Sequence, residues 1–264
     1  MRVFVVIPAR YASSRLPGKP LKIIAGKPMI QHVCERAHAS NADEVVVATD
    51  DARIEAVCRE FGATVAMTDS SHVSGTDRIA EVAERSGWDE QDVVINVQGD
   101  EPLIPPSAIA QVGGLLVNEP RAQMATLGTP IHDLDDFLNP NVVKAVMAES
   151  GRALYFSRAP VPWHRDGAAE GIASQSICEG ALRHIGLYAY RVGALQTLAR
   201  SAPCLLEQYE QLEQLRALWC GMWIQMDIAT ETPPVGVDTE HDLERIRSLL
   251  EGQPGSHQAG EGEE

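Results

Sequence analysis

Short apolar runs alternate with amphipathic stretches through the first half of the chain. Val3 to Ile7 is β-branched and aromatic, as a strand buried on both faces of a parallel sheet requires. Lys27-Pro28 then opens a helix that puts Met29, Ile30, Val33 and Ala37 on one face and ends near Ser40-Asn41, with proline at a first-turn position. Glu44–Asp50 is a second strand. Ile54, Val57 and Phe61 mark the next helix, Gly62 its stop, and Ala63–Met67 a third strand. Ser74-Gly75-Thr76-Asp77-Arg78 leads into a helix over Ile79–Arg85. Val93–Val97 is an apolar strand running into Gln98-Gly99-Asp100-Glu101-Pro102, residues 105–119 read as a helix, and Gln123–Gly128 as another strand. Strand and helix in strict alternation predict an α/β fold with a mostly parallel, doubly wound sheet.

From Pro140 the pattern changes. Val142–Met147 and Ala153–Phe156 read as strands of a smaller, mixed sheet region, Ser157–Trp163 as an irregular loop, and Gly167–Gly180 as a polar surface excursion. Arg183–Arg191 alternates, with His184, Gly186, Tyr188 and Tyr190 on one face and Ile185, Leu187 and Ala189 on the other. Leu205–Trp219 predicts one long amphipathic helix, Ile224–Ala229 a further strand, and Thr239 with Asp242 a capping-box variant that starts the last helix. Residues 252–264 have the composition of a disordered acidic tail, so the expected organisation is a single domain over 1–251 followed by that tail.

A chain of 264 residues with 44% apolar content can bury a substantial core. Its formal charge of −15 argues against general nucleic-acid or anionic-membrane binding, both of which need an extended basic surface. Five widely spaced cysteines without a C-x-x-C indicate neither a disulfide framework nor a zinc site. With no signal-peptide pattern and no apolar run of membrane-spanning length, the expected location is the cytoplasm.

Against this acidic background, residues 1–34 hold Arg2, Arg10, Arg15, Lys19, Lys22 and Lys27 and no acid. Three of these cations fall in the loop Ile7–Leu21, which leaves the carboxyl end of the first strand, where open α/β sheets bind ligands. Ala9, Ala12, Ser13, Ser14 and Gly18 are small enough for backbone N–H groups to approach an anion, and Arg10, Arg15 and Lys19 supply charge-assisted contacts to phosphate oxygens. A polyphosphate suits this loop, although neither the Walker spacing nor a Gly-x-Gly-x-x-Gly is present, and a solvated basic loop is the plain alternative. Asp100 ends a central strand and is placed to hold Mg2+ against phosphate oxygens. Asp238, left just outside the last helix, is the second candidate metal ligand. Ser74 and Gly75 can cap a helix or present N–H groups to a ligand, and both readings stay open.

The stretch Ile7–Leu21 resembles the sugar-activating nucleotidyltransferases, in particular the cytidylyltransferases of acidic sugars and among these the 3-deoxy-manno-octulosonate (Kdo) cytidylyltransferases. The resemblance extends to about Arg247, with Ser14 standing where that family's loop is expected to carry Thr. It implies a Rossmann-like nucleotide-diphospho-sugar transferase fold, CTP and Kdo as substrates, CMP-Kdo and pyrophosphate as products, a Mg2+ cofactor, a role in lipopolysaccharide biosynthesis, and a homodimer whose sugar-binding and dimer contacts lie in 140–220. By the same resemblance Arg10, Arg15, Lys19 and Asp100 are catalytic, and Ala9, Arg10, Ser13, Lys19, Ser74, Gly75, Arg78 and Gln98 hold the nucleotide, with Arg78 a phosphate contact. Arg158 would meet the sugar carboxylate, His184 and Tyr188 would line its pocket, and Gln98, Glu213 and Gln214 would bind its hydroxyls. Activation of another acidic sugar such as a sialic acid is the alternative within the class, and a nucleotide-binding module without turnover the alternative outside it.

Overall fold

The computed structural model describes residues 1–12, 15–72, 74–168 and 170–251; Ser13, Ser14 and the tail 252–264 therefore lie outside the described residues. After β1 (Val3–Ala9), a hairpin of β2 (Ile23–Ile24) and β3 (Lys27–Pro28) leads into α1 (Met29–His38). The chain continues through β4 (Glu44–Thr49), α2 (Ala52–Glu60), β5 (Thr64–Met67), α3 (Gly75–Arg85), β6 (Val93–Asn96), α4 (Pro106–Asn118), β7 (Met124–Pro130) and α5 (Leu134–Leu138). β8 (Lys144–Met147), β9 (Ala153–Ser157), β10 (Leu182–Arg191), α6 (Val192–Arg200), α7 (Leu205–Glu210), α8 (Gln214–Trp219), β11 (Ile224–Ile228) and α9 (Glu240–Glu251) complete it.

The main sheet runs β11-β7-β10-β6-β1-β4-β5, and β8 and β9 extend it from β10. β1 pairs in parallel with both β4 and β6, and β10 lies antiparallel between β6 and β7. One face buries Ile30, Val33, Ile54, Cys58, Ile109 and Val112 of α1, α2 and α4; the other buries Ile79, Val82, Leu195, Leu198 and Leu215 of α3, α6 and α8. This is the expected α/β architecture, a mostly parallel doubly wound sheet with a smaller mixed region. The chain leaves β1 toward β4 and β5 and then returns to β6 on the other side of β1. That reversal opens a crevice at the carboxyl ends of β1 and β6, the place where ligands bind in such sheets.

Besides the β2–β3 hairpin and α5, which the periodicity did not announce, three departures from it shape the site. α3 begins at Gly75 instead of Ile79, because Ser74 caps it: Ser74 Oγ accepts from the Asp77 N–H at 3.1 Å and Asp77 Oδ2 accepts from the Ser74 N–H at 3.2 Å. α6, whose apolar face packs on the sheet, was not anticipated. The single helix expected over Leu205–Trp219 is two short helices broken at Gln211, whose φ of 53° is left-handed. The break lets Arg216 donate to both oxygens of Glu207, at 2.6 and 2.8 Å. In an unbroken helix those residues would be about 13.5 Å apart along the axis.

A smaller apolar cluster joins the two ends of the chain. Leu16, Ile24 and Met29 pack with Val237, Leu243 and Ile246, so α9 is docked on the segment that follows the basic loop. The expected cap of α9 is present: Asp242 Oδ2 accepts from the Thr239 N–H at 2.9 Å, and Thr239 Oγ1 from the Asp242 N–H at 3.2 Å. Among the described residues no helix is long and apolar enough to cross a membrane.

Candidate active site

The basic loop is held in shape by its own residues. Gly18 adopts a left-handed φ of 67°, its N–H bonds to the Tyr11 carbonyl at 3.1 Å, and a Cβ there would press on the Tyr11 ring at 3.2 Å. The Arg53 guanidinium covers that ring from α2, 3.3 Å from its centroid. The loop walls a cavity of about 400 Å³ together with the β6 exit: Ala9, Arg10, Arg15, Lys19, Gln98 and Asp100 all line it, as does Gly75 from α3. Arg10 donates to the Ser74 carbonyl at 3.2 Å and to that of His72, which ties the loop to the segment before α3.

At one edge of this cavity the two ends of the chain meet. The Asp100 carbonyl accepts from the Val237 N–H at 2.9 Å, and a Cβ on Gly236 would lie 3.2 Å from the same oxygen. Asp238 is thereby brought beside Asp100. Lys19 Nζ sits between them, donating to Asp100 Oδ2 at 2.6 Å, to Asp238 Oδ1 at 3.1 Å and to the Val237 carbonyl at 2.8 Å, while Arg15 meets Asp238 Oδ2 at 3.2 Å. The ammonium fills the position a cation would take between two hard oxygen donors. Next to Asp100, burial and then that residue's charge push the Glu101 carboxyl up to about 8. Among the described residues no cluster of three or more His, Cys, Asp or Glu forms a ready cation cage. A pair of carboxylates that leaves the remaining positions to water and phosphate is the donor set Mg2+ prefers.

A second cavity, of about 280 Å³, adjoins the first and shares Gly75 and Gln98 with it. Thr76, Asn96, Tyr188, Tyr190, Glu213 and Gln214 give it a polar wall. Glu213 and Gln214 reach it because the α7–α8 break turns them inward. Gln214 is 4% exposed and its Nε2 has no hydrogen-bond partner, a donor aimed at something other than protein. Gln98 Nε2 donates to Asn96 Oδ1 at 3.2 Å. Burial raises the pKa of both Tyr188 and Tyr190, so they stay protonated hydroxyls.

The sequence-based site thus divides. Ala9, Arg10, Arg15, Lys19, Gly75, Gln98 and Asp100 converge on the first cavity with Asp238 at its edge, Tyr188, Glu213 and Gln214 on the second, and Ser13 lies outside the described residues. Ser74 is an N-cap whose carbonyl accepts from Arg10. Three residues expected in the site stand apart from both cavities. Arg78 is fully buried, its guanidinium donating to Asp50 Oδ2 at 3.0 Å and to Thr68 Oγ1, because the earlier start of α3 turns it toward β4 and β5 and away from any phosphate. Arg158 lines neither cavity: its Nε and Nη1 donate to the carbonyls of Glu210 and Pro140 at 2.6 and 2.9 Å, so it braces α7 against the small sheet.

His184 also stays off both cavity walls. It packs edge-on to Phe156, 5.0 Å between centroids, and behind Tyr188 at 5.2 Å. Burial lowers its pKa to about 3. Thr126 Oγ1 directs its proton to the Ile185 or Leu187 carbonyl, so the neutral imidazole donates from Nε2 to Thr126 at 3.0 Å. The residues missed were Thr76, Asn96 and Tyr190. Asn96, a polar residue closing an otherwise apolar strand, carried a signal, as did Tyr190, which shares a strand face with Tyr188; Thr76 looked like a helix-cap position.

The chain matches the family described as Cytidylyltransferase over residues 4–228. It is 56% identical over 246 residues to a 3-deoxy-manno-octulosonate cytidylyltransferase of Thioalkalivibrio sulfidiphilus, with 93% of this chain and 98% of the relative covered. A namesake from Pseudomonas fluorescens is 57% identical over 249 residues, covering 94% of this chain and 97% of its own. Among solved structures, a CMP:2-keto-3-deoxy-manno-octonic acid synthetase complexed with CTP superposes with a TM-score of 0.86 at 42% identity, over 96% of this chain and all of that one. A cytidylyltransferase from Leptospira borgpetersenii, at 17% identity and a TM-score of 0.62 over 97% of this chain and 89% of that one, shares the fold. From the family match and from relatives this similar along nearly their whole length, the chain belongs to the 3-deoxy-manno-octulosonate cytidylyltransferases of the cytidylyltransferase family.

Proposed function

We propose that the chain transfers CMP from CTP to 3-deoxy-D-manno-octulosonate, releasing pyrophosphate and activating the sugar for lipopolysaccharide synthesis. The observation that carries this reading is the pair of adjoining cavities, one walled by the basic loop and Asp100, the other by neutral and acidic hydrogen-bonding groups, with Gly75 and Gln98 common to both. The solved relative bound to CTP supports the nucleotide assignment. Reaction at the junction needs one anomeric hydroxyl to attack the α-phosphorus in line, forming the sugar O–P bond as the bond to the β-phosphate oxygen breaks. Such transfer is mostly positioning and charge neutralisation.

In this reading Arg10, Arg15 and Lys19 hold the triphosphate and stabilise the departing pyrophosphate. Asp100 and Asp238 would hold Mg2+, which when bound supplies Lewis-acid neutralisation of phosphate charge. Lys19, bridging the two carboxylates, would turn from them to the phosphates. Tyr188, Glu213 and Gln214 orient the sugar through its hydroxyls. The reading has two further parts: pairing of two copies through the 140–220 region, where Leu154, Tyr209 and Trp219 are exposed at 55%, 76% and 67%, and a cytoplasmic location, which suits five unpaired cysteines.

The test is pyrophosphate release with CTP, Mg2+ and a panel of acidic sugars. Turnover with Kdo and background rates with sialic acids are expected. Turnover with a sialic acid alone would reassign the second cavity, and none with any sugar would leave a binding module.

A further inference from the structure

The Glu213 carboxylate is held by a residue of the helix turn at which the two cavities meet. Thr76 lies in the first turn of α3, 7% exposed, and its Oγ1 donates to Glu213 Oε2 at 2.8 Å across 137 positions of sequence. Among the described residues no other side chain is hydrogen-bonded to this carboxylate and no cation is paired with it. One oxygen is thus pinned, and Glu213 borders the second cavity. The start of an 11-residue helix also favours a negative charge there. Tyr190 borders the same cavity, and burial and then the Glu213 charge keep its hydroxyl protonated. The residue before Thr76, Gly75, borders both cavities.

We infer that Thr76 is a positioning residue: its hydroxyl fixes the Glu213 carboxylate for a polyol substrate and ties that carboxylate to the helix turn that abuts the nucleotide. The inference rests on the reading of Glu213 as a partner of sugar hydroxyls. Without the hydroxyl, the carboxylate sits at the head of a helix break with only its own rotamer preferences to aim it. The sugar is then bound less well, while the basic loop, which Thr76 does not touch, still receives the nucleotide.

Steady-state kinetics of Thr76→Val, Thr76→Ser, Glu213→Gln and the Thr76→Val/Glu213→Gln pair test this, with melting curves to verify folding and Thr76→Ala replacing the valine variant should that one unfold. Thr76→Val is expected to raise KM for Kdo by about tenfold, the scale of one hydrogen bond to a charged group, and to change KM for CTP by less than about twofold. Thr76→Ser should recover the sugar KM, and Thr76→Val should cost less than its full tenfold once Glu213 is glutamine, whose oxygen still accepts from Thr76 but carries no charge for it to aim. An unchanged sugar KM in Thr76→Val, an equal rise for both substrates, no recovery by serine, or a full additional loss on the Glu213→Gln background would overturn the inference. If Glu213→Gln itself leaves the sugar KM unchanged, the assignment of that carboxylate to the sugar falls and takes the inference with it. A rise in Glu213→Gln without one in Thr76→Val sinks the inference alone.

Discussion

The two cavities are adjacent but are built in opposite ways. The first is built mainly from one parallel strand, the loop at its end, and the exit of the neighbouring parallel strand, with Gly75 of α3 added to its wall and Asp238 at its edge. The second draws on β6, β7, β10, α3, α6 and the α7–α8 break, and its key groups owe their orientation to irregularities. Gln211 is left-handed, and β10 shifts register against β7 between Ile185 and Tyr188, a bulge at which Thr126 Oγ1 lies within donating distance of the Ile185 and Leu187 carbonyls, at 3.0 and 2.9 Å. Charge dominates the first cavity and unpaired hydrogen-bonding capacity the second. Substitutions should therefore separate them by which substrate suffers.

The largest effect is expected at the carboxylates. Asp100→Asn and Asp238→Asn should each lower turnover by about two to three orders of magnitude, several kcal/mol of lost charge stabilisation. Parts that act as a unit fail together, so the double variant should be hardly worse than either single one. Full activity in Asp238→Asn, or losses that multiply, would remove Asp238 from a shared metal site and leave it as Lys19's partner. Next comes Lys19→Met. A charge-assisted phosphate contact contributes about 1.5–3 kcal/mol, so KM for CTP should rise by about tenfold to a hundredfold with the sugar KM little changed. This variant also leaves Asp100 and Asp238 facing each other without the ammonium, so its metal-free melting temperature should fall and Mg2+ should restore it. No change in nucleotide KM would place Lys19 outside the phosphate site.

On the other side of the comparison, Gln214→Met should trade function for stability. The buried Nε2 is unpartnered, and leaving such a donor unsatisfied costs about 1–3 kcal/mol. A thioether of similar length removes that penalty, so the melting temperature should rise, while KM for Kdo should increase by about tenfold and KM for CTP stay put. A lower melting temperature with an unchanged sugar KM would make Gln214 an ordinary core residue.

What the sequence disclosed follows the same division. The parallel half was legible because a buried parallel strand is a continuous apolar run and its ligand loop is contiguous with it, so Arg10, Arg15, Lys19 and Asp100 could be read from β1 and β6 alone. Asp238 was legible as a cap-adjacent carboxylate, but its partner was fixed only by the packing of Leu16, Ile24 and Met29 on Val237, Leu243 and Ile246. In the second half, Leu205–Trp219 has helical periodicity throughout, and nothing in residues 205–219 announces that Glu207 and Arg216 will pair across a break. Arg78 and Arg158 stand off the cavities for a reason the sequence does not display: an arginine beside a site motif looks the same whether it borders a cavity, as Arg10 does from the loop, or satisfies buried carbonyls and carboxylates.

The smallest predicted effect concerns His184, which the resemblance put on the sugar and the structure puts behind Tyr188. A histidine buried to a pKa of about 3 is neutral in the folded chain at any working pH, whereas in the unfolded chain it titrates near 6.5. Because the folded value is the lower one, the unfolded state binds the extra proton. The stability this group contributes is therefore complete above about pH 6.5 and is lost as the pH falls from there toward 3. His184→Gln keeps an amide N–H for Thr126 but removes the titration and the ring contacts to Phe156 and Tyr188. The variant should melt below the parent at pH 7.5, and the gap should narrow steadily through pH 6, 5 and 4, since carboxylates titrate alike in both chains and cancel in the difference. Between pH 7.5 and 5.5 the KM for Kdo of the parent should carry no inflection from this residue. A gap that stays constant with pH would show that the imidazole titrates alike in folded and unfolded chains, and an inflection near 6.5 that disappears in His184→Gln would return the residue to the wall of the sugar cavity.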